Sequence, residues 1–311
     1  MIKALVLGAS GGMGYAIVKE LSNRGITVRA FARTQSKLEH LFHDDPRVSI
    51  FAGDLFRIDD LSAAASDVDI IFQSANLPYP EWEEKWGQLI TNVVSATKKQ
   101  EAKLAVVDNI YAYGRNPGRK VSETTPKRPH TKKGKIRLES EKIIKESGVK
   151  ALIAHFPDFY GPNAKSSLFY YTLKNVVKNK NTIYIGNPKI ARESIFTPDG
   201  AKAIVNLALN DEAYDQEWTI PASGVVTGEE VIAMIRKLTQ YQKHVTTITK
   251  NMIRFLGLFN PMMREVVEMY YLNEDTVVLS GEKYEKHFGP VPVTPYKEGL
   301  RQTIEFMRAD E

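Results

Sequence analysis

The chain has 311 residues, of which 43% are apolar and 25% charged, carries a net charge of +5 and contains no cysteine. Disulfide scaffolds, thiolate metal sites and cysteine nucleophiles are thereby excluded, and the apolar content is enough for one large domain or two. No apolar run reaches the ~18 residues of a membrane span and the N-terminus does not read as a secretory signal, so the expectation is a cytoplasmic protein without a membrane partner.

Residues 2–7 form an apolar run that predicts a strand ending at Gly8, and residues 15–24 have helical spacing ended by Gly25. Further β-rich runs lie at 26–33, 48–54, 69–75, 103–109 and 150–156, most of them separated by helix-like stretches at 36–42, 59–66, 83–100 and 135–148. Such alternation predicts an α/β fold with a Rossmann-type, doubly wound parallel sheet, because right-handed crossovers place helices on both faces. Residues 1–161 are expected to form this dinucleotide-binding domain. Residues 162–311 are expected to form a smaller, mixed α/β substrate region packed against it, with helices at 167–180, 199–210 and 228–240 and short strands at 182–186 and 217–222. The Met- and aromatic-rich stretch 251–271 predicts a buried helix pair broken at Asn260-Pro261, with a lid over the substrate as the alternative.

Positive charge is concentrated locally. Nine Lys or Arg and a single acid, Glu123, lie between Arg115 and Arg137. The segment suggests either an anionic ligand or a solvated lysine-rich loop. It lacks interleaved aromatics for base stacking, which disfavours nucleic acid as a partner. No His and carboxylate pair has metal-ligand spacing, so no metal site is predicted.

The sharpest motif is Gly8-Ala-Ser10-Gly11-Gly12-Met13-Gly14, placed between the first strand and the first helix. There Gly8 permits the turn, Gly11 lets the backbone approach a diphosphate, and Gly14 lets helix and strand pack closely, while the helix N-terminus offers its N–H groups to phosphate. At the end of the second strand, where an acid would select NAD, stand Arg33 and, one turn on, Lys37. These cations favour NADP, with NAD as the alternative. Asp54 and Leu55 after the third strand are placed to meet the adenine, and Ser74, Ala75 and Asn76 after the fourth to meet the middle of the cofactor.

These features resemble the extended and atypical short-chain dehydrogenase/reductases, the NAD(P)-dependent epimerase/dehydratase family. The likeness covers nearly the whole chain: the glycine motif, Tyr113-Gly114, the stretch Phe156 to Pro162, and Ile195 to Asp199 opening a later helix. His155 stands near where the family has an arginine, and Tyr160 falls on the tyrosine of its Tyr-Gly-Pro block, near the cofactor. The resemblance implies a Ser or Thr four residues before Tyr113 and a Tyr-x-x-x-Lys helix, but Asn109, Lys133 and Arg137 occupy those three positions. Arg137 could still clamp the nicotinamide ribose, and Lys133 could exchange protons if neighbouring cations crowd it. Tyr111, Tyr113 and Asp158, each following a strand's C-terminal end, are further catalytic candidates. Two functions follow: an NADP-dependent oxidoreductase or isomerase of a small polar substrate whose phosphate or nucleotide is gripped by the basic segment and Arg192, or a non-catalytic NADP-sensing regulator resembling the NmrA-like branch.

Overall fold

The structure, a computed structural model, describes residues 2–116 and 118–310. Its first half runs β1 (Lys3–Leu7), α1 (Gly12–Asn23), β2 (Thr27–Ala32), α2 (Gln35–Phe42), β3 (Val48–Ala52), α3 (Ile58–Ala65), β4 (Ile70–Gln73), α4 (Trp82–Lys99), β5 (Lys103–Asn109), a two-residue β6 (Lys120–Val121), α5 (Lys132–Glu146) and β7 (Ala151–Phe156). The second half adds β8 (Asp158–Tyr160), α6 (Leu168–Val176), β9 (Thr182–Ile185), β10 (Arg192–Phe196), α7 (Thr197–Ala208), β11 (Gln216–Thr219) and β12 (Val225–Val226). There follow α8 (Gly228–Thr239), β13 (Val245–Ile248), α9 (Lys250–Gly257), α10 (Pro261–Met269), β14 (Val278–Leu279), α11 (Glu282–Phe288) and α12 (Tyr296–Ala309).

Seven strands make one parallel sheet in the order β3-β2-β1-β4-β5-β7-β11. Period-2 side-chain alternation feeds two cores. Ala4 and Val6 of β1 face α1 and α7, whereas Leu5 and Leu7 face α3 and α4. Strand order reverses between β1 and β4, which opens a crevice at their C-terminal ends. A third cluster, including Phe169, Val231 and Leu300, packs the C-terminal helices α6, α8 and α12 together.

Two features differ from the reading of the sequence. The strand placed at 217–222 within the C-terminal region is β11, which pairs with β7 in register Trp218 to Ala154 and completes the main sheet. Helix α7 likewise packs beside α1, so the sheet and its helical layer draw on chain from both sides of residue 161. The helix pair breaks where expected, because Pro261 has no N–H to continue a helix and the Asn260 carboxamide oxygen accepts the N–H groups of Met262 and Met263. Its burial does not follow: on α9 just Ile253 and Gly257 are buried, since the helix touches its neighbours along one narrow stripe.

Candidate cofactor and active site

The loop between β1 and α1 is built for close approach. Gly8 has φ +79°, and a side chain there would collide with the backbone of Ala75, which brings the turn after β4 directly beneath the loop. A Cβ at Gly11 would meet just the Gly8 carbonyl at 3.3 Å, so the outer side of this residue is open. No side chain caps α1, leaving the first-turn N–H groups of Gly12, Met13 and Gly14 with no cap and no acid beside them. Asn163 reaches back to hold the Ser10 carbonyl at 3.1 Å. An uncapped helix N-terminus over a turn that only glycine can make is a fitting cradle for a diphosphate.

Arg33, just after β2, and Lys37, in the first turn of α2, are exposed and have no ion pair among the described residues. Asp54 is occupied locally, accepting the Phe56 N–H at 3.0 Å, and the Leu55 carbonyl accepts from Asn92 at 2.9 Å. Ser74 donates to the Leu7 carbonyl at 2.7 Å, and the Asn76 side chain accepts the N–H of Leu77 at 2.9 Å. The residues assigned to adenine and to the cofactor's middle thus shape the loops at the strand ends.

Helix α5 brings Lys133, Arg137 and Glu141, spaced by four, onto one buried face. Lys133 is not solvated: it is buried against Glu265 and, at 2.8 Å, Glu268, both on α10, and lies 5.4 Å above the Tyr79 ring. Arg137 pairs with Asp108 at 3.1 Å and stacks on Trp82 and Trp86, 4.6 and 4.1 Å from their ring centres. Asn109 caps a turn, its side chain accepting the Tyr111 N–H at 3.0 Å. Below Arg137, Lys127 bridges Glu141 and Glu217, and His155 lies 3.6 Å from Glu217. Burial opposes charging of His155, but the nearby carboxylates of Glu217 and Glu141 outweigh it and raise its pKa. Asp108, Glu141 and His155 bring potential ligand atoms within 4.8 Å of one another, a grouping the sequence gave no sign of. Arg137 and Lys127 already meet both carboxylates there.

Two tyrosines proposed for the site are packing residues. Tyr160 is stacked on Tyr296 and flanked by Phe169 and Phe196, with no surface left for a cofactor, and Tyr113 is equally buried against the His155 ring. Arg192 is engaged by Asp158 and Asn273, so neither Arg192 nor Asp158 points unpaired into the crevice. Tyr111 is different. It is half-buried, and its hydroxyl lies 2.7 Å from that of Tyr79 on the turn after β4. Burial pushes both phenols up, that of Tyr79 to about 12. Tyr79 was not singled out from the sequence, because nothing local marks a residue that meets Tyr111 across 32 positions.

A sequence profile of the family described as NAD(P)H-binding matches residues 8–183, more than half of the chain. The chain belongs to the NAD(P)H-binding family. Its fold is that of the extended short-chain dehydrogenase/reductases, as the motifs implied. This NAD(P)H-binding chain superposes on UDP-glucuronic acid 4-epimerase from Bacillus cereus, solved with UDP-glucuronic acid and NAD, with a TM-score of 0.80 at 16% identity and 100% coverage of both chains. It also superposes on dTDP-glucose 4,6-dehydratase from Bacillus anthracis, solved with NAD, with a TM-score of 0.82 at 17% identity, over 100% of this chain and 98% of that one. A curated relative, mouse sterol-4-alpha-carboxylate 3-dehydrogenase, decarboxylating, is 38% identical over 76 residues, which is 24% of this chain and 19% of the relative.

Part of the basic segment of the NAD(P)H-binding chain finds counter-charges within the protein. Arg115 pairs with Glu274 and Asp275, Lys132 with Glu83, and Lys127, Lys133 and Arg137 with the acids already named. Five of the segment's cations are thus matched by acids distant in sequence or across α5, which is why the local excess overstated its appetite for an anion. No helix among the described residues is long and apolar enough to cross a membrane.

Proposed function

We propose that the protein is an NADP-dependent oxidoreductase or isomerase acting on a small polar substrate. The observation that supports this most is the uncapped α1 N-terminus at the sheet's switch point, with the unpaired Arg33 and Lys37 just after the neighbouring strand. In this reading the backbone from Gly8 to Gly14 receives the diphosphate, and Arg33 and Lys37 receive the 2′-phosphate. Asp54 and Leu55 border the adenine, and Ser74, Ala75 and Asn76 the centre of the cofactor. The bound nicotinamide supplies hydride transfer. Tyr111 would supply the proton from its phenol, which the Tyr79 hydroxyl, 2.7 Å away, holds in place. Tyr111 would give its proton to the oxygen of a carbonyl undergoing reduction and would be reprotonated from solvent. The nucleotide-sugar substrates of the structural neighbours support a phosphate- or nucleotide-bearing substrate, which would reach Arg192 by competing with Asp158.

Lys133 and Arg137, both held in ion pairs inside the protein, favour the second reading, an NADP-sensing regulator without turnover. Oxidation of NADPH by the wild type and by Tyr111→Phe, measured against a carbonyl panel, separates the two. The enzyme reading expects turnover that drops ~10²- to 10⁴-fold in the variant with NADP affinity unchanged. Tight NADP binding with no turnover of any carbonyl would establish the sensor.

A further inference from the structure

The α9–α10 hairpin is rooted at the crevice, through Glu265 and Glu268 on Lys133, and ends in an apolar tip. On that tip Phe255, Leu258 and Phe259 are 63%, 69% and 78% exposed, and Met252 and Leu256 are exposed beside them. The Phe255 and Phe259 rings pack on each other at 5.8 Å, so the patch is continuous. Scattered exposed apolar residues need no explanation, but a contiguous cluster this exposed marks a contact surface. The charge around it is one-sided. Residues 241–264 contain Lys243, Lys250, Arg254 and Arg264 and no Asp or Glu. Lys250 pairs with Glu274, whereas Arg254 and Arg264 are exposed with no ion pair among the described residues.

We propose that this tip docks the protein onto an anionic phospholipid bilayer, with Leu258 and Phe259 entering the interfacial region and Arg254 and Arg264 meeting lipid phosphates. Apolar side chains rimmed by arginine suit a surface that is apolar beneath and negative above. A two-fold contact with a second copy would instead set Arg254 and Arg264 against themselves. The absence of an apolar run of spanning length, from which no membrane partner was expected, does not bear on a hairpin tip that lies in the interface. This inference is independent of the catalytic reading.

The test is flotation of the full chain with vesicles of pure phosphatidylcholine and with vesicles containing about one third phosphatidylglycerol. The wild type is expected to float with the anionic vesicles, on the order of tenfold more than with the neutral ones, and to be released by ~1 M salt. The double variant Leu258→Ser/Phe259→Ser should lose on the order of tenfold in bound fraction while melting like the wild type, because both residues are exposed. A wild type that stays off anionic vesicles, or a double variant that binds as well as the wild type, overturns the proposal. So does a dimer in sedimentation velocity that the double variant abolishes, which would assign the patch to a second copy.

Discussion

At Glu193 burial and hydrogen bonding pull in opposite directions. The side chain is buried in β10 and accepts the N–H groups of Leu279 at 2.8 Å and Ala222 at 3.0 Å, yet burial prevails and raises its pKa from 4.5 to about 7. An acid with a higher pKa folded than unfolded binds more protons in the folded state between those values. Its contribution to stability therefore declines as pH rises through that window, by about 3 kcal/mol at most. Glu193→Gln does not titrate, so the melting-temperature advantage of the wild type over this variant should shrink between pH 5 and pH 8. An advantage that is constant across that range would contradict the assignment. Single residues also show where the sequence falls short. Lys133, Arg137 and Arg192 were read as cations facing a ligand, and each meets an acid of the protein instead. Two of those acids, Glu265 and Glu268, stand more than 130 positions from Lys133, a pairing that only the tertiary fold creates.

Elements defined by local pattern were legible. The strand from 103 to 109 has the bounds its composition predicted, and the glycine motif runs from the end of β1 into the first turn of α1. Met and aromatic content says that a helix is apolar but not whether anything covers it, so α9 was read as buried and is largely exposed. Likewise β11 was visible as a strand but not as an edge of the main sheet, since pairing with β7 leaves no local trace. The cradle yields the prediction of this scale. Gly11 has extended backbone, φ −94° and ψ 169°, and its one near neighbour is the Gly8 carbonyl. Gly11→Val should therefore fold with little loss of stability and fill the space assigned to the diphosphate. NADP at 100 times its Kd should stabilise the wild type by about 2.7 kcal/mol and leave the variant's melting temperature unchanged. A wild-type-like shift in a folded Gly11→Val protein would remove the loop from the binding site.

For the molecule as a whole, the arrangement of charge separates what is structural from what is left for a ligand. Five of the nine cations in the 115–137 segment are paired with acids of the protein, among them Lys133 with Glu268 of α10 and Arg137 with Asp108 of β5. Among the described residues Arg33, just after β2, and Lys37, in the first turn of α2, are exposed and have no ion pair. The account rests on their meeting a 2′-phosphate, and paired titrations of NADP and NAD against the wild type and Arg33→Asp test it most directly. A charge-assisted contact of ~1.5 to 3 kcal/mol predicts that the wild type prefers NADP by roughly tenfold or more and that Arg33→Asp reverses the preference. Equal affinity for the two cofactors, before and after the substitution, would contradict it.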